Sequence, residues 1–219
     1  MDRVTDAFSW PARDPEWLAK LLVIGLILLI PIVGAINGLG WMLATVDRLR
    51  AGDERLAPAN LRYIARGFPL FVVDLVYGLV IALVAGAIYI PGLIVASNQS
   101  HSSANPALIS LAIALSLLAF SFATLGSLAL NFVTPSIVLA TDRRGIVGGL
   151  SAGAVLRQAR ANIANTLIAG LMLIAASFIG SLGLVACGIG VLFTTAYALA
   201  MQAWVVRSFE IGSAAKPTT

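Results

Sequence analysis

The chain has 219 residues, of which 59% are hydrophobic and only 11% are Asp, Glu, Lys or Arg, whereas soluble domains carry roughly 45–50% apolar and about 25% charged residues. With a mean hydropathy of +0.96, a water-soluble globule is excluded, and the expected class is an all-α polytopic transmembrane helix bundle. The formal charge of +4 and pI of about 9.7 point to membrane orientation and to anionic lipid headgroups; no nucleic-acid partner is expected, because the arginines flank apolar runs and form no aromatic-interleaved patch.

In chain order, residues 1–16 form a polar lead-in with no apolar core of a secretory signal, and neither end carries a lipidation signal. Five apolar runs follow: Trp17–Val46, Phe68–Ser97, Pro106–Thr141, Ile163–Cys187 and Gly188–Val206. Each reaches or approaches the roughly 20 residues needed to cross a hydrocarbon core of about 30 Å. Helix is forced, because lipid offers no partner to backbone N–H and C=O groups. Residues 208–219 read as a C-terminal tail, and residues 1–219 as a single integral membrane domain.

The breaks carry the charge. Asp47–Gly67 contains Arg48, Arg50, Arg55, Arg62 and Arg66, and Asp142–Asn162 contains Arg143, Arg144, Arg157 and Arg160. Asn98–Asn105 and the turn around Gly188 have no Lys or Arg, and the C-terminal end carries Arg207 just before the tail and Lys216 within it. The positive-inside rule then places both Arg-rich segments and the C-terminus in the cytoplasm. The first run is either one crossing or a short hairpin, giving five to six membrane segments. It is interrupted by Pro31, Gly34, Asn37-Gly38 and Gly40. Proline removes a donor and kinks a helix, and Gly and Asn favour turns. A weak internal echo favours the hairpin: VLRQARANIAN, two helices and AWVVRSFEIG repeat the order of FSWPARDPEWLAK, two helices and GWMLATVDRLRAG.

Two interfacial helices are expected. Over Leu150–Leu167, Ala152, Val155, Leu156, Ala159 and Ile163 share a face while Arg157, Gln158 and Asn162 turn away. Over Asn60–Phe68, Leu61, Ile64 and Phe68 oppose Arg62 and Arg66. Arg62, Arg66, Arg157 and Arg160 are the candidate headgroup contacts.

Asp74 is the one acid well inside an apolar run. A carboxylate in lipid is costly and marks a candidate proton or cation site; alternatively it sits near the interface, bonded by Tyr77 or paired with an arginine. Asp74, Tyr77 and Asn131 form the candidate intramembrane polar site. Asn37, Asn165 and Gln202 could join it or act as interhelical glue. Gly34-x-x-x-Gly38 and Ala82-x-x-x-Gly86 have close-packing spacing. One His and one Cys, His101 and Cys187, are too few for a zinc hydrolase site, and read as a loop residue and a packing residue. No phosphate-cradling glycine loop or nucleophile elbow occurs. Catalytic, metal and cofactor residues are therefore expected to be none. Arg outnumbers Lys twelve to two, which together with abundant Ala and Gly suggests a prokaryotic source.

The N-terminal third, FSWPARDPEWLAKLL, then LLIPIVGAINGLGWMLATVDRLRAGDERLAP and FPLFVVDLVYGL, resembles a prokaryotic membrane family catalogued as domain of unknown function 4013. The shared pattern is an aromatic-Pro-x-x-Asp lead-in, an Ile-Pro-Ile-x-Gly break and a Gly-Asp-x-x-Leu-Pro exit. Here Ala57 stands where Pro is usual, and Gly40-Trp41 replaces Gly-Tyr. The chain is more distantly similar to six-helix bacterial membrane domains, some fused to phosphodiesterase domains. The resemblance implies a membrane fold with six helices and supplies no reaction. The expected role is a non-enzymatic accessory or scaffold subunit, or a lipid-organising component, in the prokaryotic cytoplasmic membrane, with a partner membrane protein or a second copy as the protein partner. The alternative is a small transporter or channel with Asp74 on the path.

Overall fold

The computed structural model describes residues 4–98, 105–185 and 189–214. His101, Cys187 and Lys216 lie outside them. The fold is all-α. After 3₁₀ turns at Val4–Phe8 and Trp10–Arg13 come α1 (Trp17–Leu28), α2 (Val33–Arg50), α3 (Ile64–Ser97), α4 (Pro106–Leu150), α5 (Ala152–Ala161), α6 (Ile163–Val185) and α7 (Ile189–Ala214). Among the described residues, α3, α4 and the Ile163–Gly183 part of α6 are long and apolar enough to cross a membrane, and α1 is a shorter apolar helix. The chain is a helical membrane protein. It divides into two compact units, residues 1–73 with 131–219, and residues 74–130.

The first apolar run is a helical hairpin. The break falls at Leu29–Ile32, where Pro31 cannot continue α1. Ile32 has φ 63° and ψ −59°, and Val33 N donates to Pro31 O at 2.6 Å. That is a γ-turn of the rarer positive-φ kind, strained for a β-branched residue. The end of α1 meets the start of α2, since a Cβ on Gly34 would lie 2.2 Å from Ile27 O and 2.8 Å from Leu28 Cα. The start of α1 reaches the segment after α2 instead, through Lys20 and Leu56, so the two arms run antiparallel. They are about 18 and 27 Å long at 1.5 Å per residue.

The glycines and asparagine expected to break this run do not do so. Gly34, Asn37, Gly38 and Gly40 all lie inside α2, because each is needed for close approach or for a bond. A Cβ on Gly40 would stand 2.0 Å from Tyr63 O and 2.8 Å from Gly67 N, and one on Gly67 would stand 1.9 Å from Ile36 O. The backbones of α2 and α3 therefore cross in direct contact. Asn37 locks the crossing: its Nδ2 donates to Asn60 O at 2.9 Å and its Oδ1 accepts from Tyr63 N at 3.2 Å. Trp41 Nε1 donates to Ala57 O at 3.0 Å and Thr45 Oγ1 accepts from Ala57 N at 3.3 Å. The connection after α2 thus folds back along α2.

Within the first unit α7 is the central helix, in contact with α1, α2, α6 and the Val4–Phe8 turn. Ala196, Ala200 and Ala203 are fully buried, which lets neighbouring backbones approach, the usual device where lipid removes the hydrophobic drive for helix association. The lead-in packs on α7 rather than trailing free. Trp10 stacks on Trp204 at 5.2 Å between centroids, and Tyr197 donates its hydroxyl to Phe8 O. In the second unit the two helical segments pair at Gly92 against Leu115 and Ala112, and at Gly126 against Ile81.

Two further expectations are corrected. The Leu150–Leu167 helix divides at Asn162, whose φ of −142° ends α5, and α6 begins at Ile163. Asn60–Phe68 is no separate helix: helix begins at Ile64 as the first turn of α3. Both errors share a cause, since apolar spacing carries no mark of a local break in the helix.

Gly67→Ala is expected to lower the stability of the detergent-solubilised chain by about 3 kcal/mol, through forced backbone displacement. Gly86→Ala, where a Cβ meets nothing within 4 Å, is expected to raise it by about 0.5–1 kcal/mol. Thermal unfolding of the two variants in one detergent checks the contrast.

Candidate functional site at the charged helix ends

The polar chemistry of the first unit gathers where α2, α3, α4 and α7 carry their charged ends. Arg50, the last residue of α2, is the hub. Its Nη1 donates to Asp142 of α4 at 2.7 Å and to Asp47 at 2.9 Å; its Nε and Nη2 hold both oxygens of Glu210 on α7 at 3.0 and 3.1 Å. The bidentate fork of arginine suits this geometry. Arg66, on the first turn of α3, bridges Asp47 at 2.9 Å and Asp142 at 2.6 Å. Arg207 and Arg143 complete the ring at Glu210. Asp142 is 7% and Glu210 15% exposed, so neither carboxylate is hydrated enough to stand alone. A cavity of about 160 Å³ beside these pairs is lined by Leu43, Arg66, Thr141, Asp142 and Gly145; the polar groups that reach it already have partners within the chain.

A second cluster latches the lead-in. Asp14 is 1% exposed. Its carboxylate accepts from Lys20 Nζ at 2.7 Å, Glu16 N at 2.9 Å and Leu56 N at 2.9 Å. Lys20 also donates to Leu56 O at 3.4 Å. Burial pushes the Asp14 carboxyl up, but the Lys20 ammonium and the two backbone donors outweigh it and hold it below the usual carboxylate range. Outside the latch, Arg13 bridges Asp6 and Glu54. Asp53 is held low by Arg55 and Arg48. The lead-in is thereby bonded to the segment that follows α2, so it and the first Arg-rich segment share one side.

The sequence candidates fare differently. Asp74 is exposed on α3, and among the described residues no hydrogen bond or ion pair to its side chain is found. Tyr77 and Asn131 are half-buried, and both have interactions of their own. Asp74 and Tyr77 fall in residues 74–130 and Asn131 in the other unit. Arg66 is engaged with Asp47 and Asp142. Arg62, Arg157 and Arg160 are exposed and form no ion pair among the described residues. Sequence reasoning missed Asp14, Arg50, Asp142 and Glu210 as a set. The signal for the first was its place in the lead-in; for the others it was acids set beside arginine runs. Among the described residues no group of three or more His, Cys, Asp or Glu is placed to hold a metal.

Arg50→Gln is expected to destabilise the protein by about 3 kcal/mol, because it leaves two poorly hydrated carboxylates short of a partner. Arg143→Gln, at a 60% exposed position, is expected to stay within about 0.5 kcal/mol. Thermal unfolding in detergent reads both. The latch has its own pH signature. A carboxyl held low in the folded state stabilises above its unfolded pKa and loses that contribution as pH falls through the folded value. Lead-in release is therefore expected only below about pH 4, reported by Trp10 fluorescence, and Asp14→Asn is expected to give the released signal at neutral pH.

Comparison with known proteins gives one family. Residues 23–189 match the family described as Protein of unknown function (DUF4013). The matched range includes α2 to α6 and leaves the Trp10 and Asp14 lead-in outside it. No curated protein matches the chain, and no solved structure does.

Proposed function

The chain belongs to the DUF4013 family of proteins of unknown function, and from that premise we infer that it is a non-enzymatic accessory or scaffold component of a prokaryotic cytoplasmic membrane. One observation carries the reading: every described acidic side chain except Asp74 is taken up in an ion pair. Groups spent on tying helix ends together are held by their partners, and a carboxylate held in this way is a poor general base. The positive-inside rule supports a cytoplasmic C-terminus, with the Arg50 hub and the lead-in on that side. A transporter or channel reading draws on Asp74 alone, a carboxylate on an apolar helix without a partner among the described residues.

A C-terminally tagged full chain, extracted in mild detergent, is expected to carry a membrane protein at fixed stoichiometry by mass spectrometry, and Asp74→Asn is expected to leave that capture unchanged. Isolation of the wild-type chain alone as a monodisperse particle overturns the accessory reading. Proton or cation flux in vesicles that Asp74→Asn abolishes replaces it with transport.

A further inference from the structure

Between Asp142 and Glu210 the chain has no acidic residue and five arginines, at 143, 144, 157, 160 and 207. The two flanking acids are already taken. Asp142 is held by Arg50 and Arg66, and Glu210 by Arg50, Arg143 and Arg207. Arg144, Arg157 and Arg160 are exposed and are left without a counter-ion among the described residues. Arg157 and Arg160 are three positions apart on α5, so they are neighbours on the helix surface and repel one another unless an anion lies between them.

The position of α5 says what kind of anion. Its ten residues span about 15 Å, half a hydrocarbon core, so it does not cross. Only Asn162 separates its end at Ala161 from Ile163, the first residue of a candidate span. Val155 and Ala159 are buried, while Leu156 at 42%, adjacent in the chain to Arg157, and Ile163 at 61%, three positions after Arg160, are exposed. Exposed apolar side chains next to exposed guanidinium groups fit a surface that meets acyl chains on one side and headgroups on the other. The joint between α5 and α6 is held by two bonds. Thr166 Oγ1 donates to Ala159 O at 2.7 Å, and Asn162 Nδ2 donates to Gly212 O at 3.1 Å. The arginine pair is thus presented by a braced helix.

We propose that α5, through Arg157 and Arg160, is a binding site for the phosphate headgroup of an anionic phospholipid. The guanidinium fork pairs with phosphate oxygens in the bidentate manner usual for arginine, and Leu156 and Ile163 pack against the acyl chains. The inference is independent of the accessory role.

The test uses the full chain in a nonionic detergent, titrated with phosphatidylglycerol or phosphatidylcholine and read by native mass spectrometry. Phosphatidylglycerol is expected to be retained preferentially. Retention is expected to fall about fivefold for each arginine removed in R157Q and R157Q/R160Q, from roughly 1 kcal/mol per basic residue at an anionic surface. R157K/R160K keeps both charges but not the guanidinium fork, and is expected to retain more phosphatidylglycerol than R157Q/R160Q and less than the wild type, which separates loss of charge from loss of fold. Arg55→Gln removes the same charge at an exposed position already paired with Asp53 and is expected to have little effect. Equal retention of the two lipids, or an equal loss in Arg55→Gln, overturns the site. Displacement of the lipid by millimolar inorganic phosphate makes it a free-phosphate site and overturns the lipid assignment.

Discussion

Where α2 crosses α3, neither helix has a side chain to spare, and Gly40 and Gly67 bring the two backbones into contact. In lipid this matters more than in water, because apolar side chains gain little by meeting one another when the alternative is an acyl chain. Close backbone approach and polar bonds have to supply the association. The crossing also sets the path of the segment after α2, which bonds to Asn37, Thr45 and Trp41 and so brings Leu56 to Asp14. It places Arg66 on the first turn of α3, within reach of Asp47 and Asp142. The ion network and the lead-in latch both follow from that one contact.

The network ties four helices through side chains far apart in the chain, since Arg50 and Glu210 are separated by 160 positions. The pairs of Arg50 with Asp142 and Glu210 are partly shielded, and a shielded pair is costly to break because the survivor is left unpaired. Such pairing serves registry more than net stability.

Charge was readable from the sequence as segments and unreadable as pairs. The two arginine-rich stretches and the apolar runs between them stand out because a bilayer excludes charge from long segments. The hairpin in the first run was also within reach, through Pro31 and the echo of the C-terminal half. The partners of Asp14, Asp142 and Glu210 were not, because an acid beside arginines looks the same whether it pairs within its own helix or across the fold. Gly40 shows the same limit at the backbone. A glycine can mark a turn or a close crossing, and only a neighbouring backbone distinguishes them. Asp74 stood out as the lone acid in an apolar run, and the described structure gives it no partner.

The sequence alone determined the class of this protein, its helical membrane segments, and the amphipathic character of the stretch that becomes α5. These follow from composition and period, which the solvent reads locally. Tertiary structure alone decided where the first run reverses, that the lead-in is latched beside α2, and which arginines are neutralised and which are left over. Those outcomes depend on distances between residues remote in the chain. Coulomb and hydrogen-bond energies are set by such distances, and no local pattern encodes them.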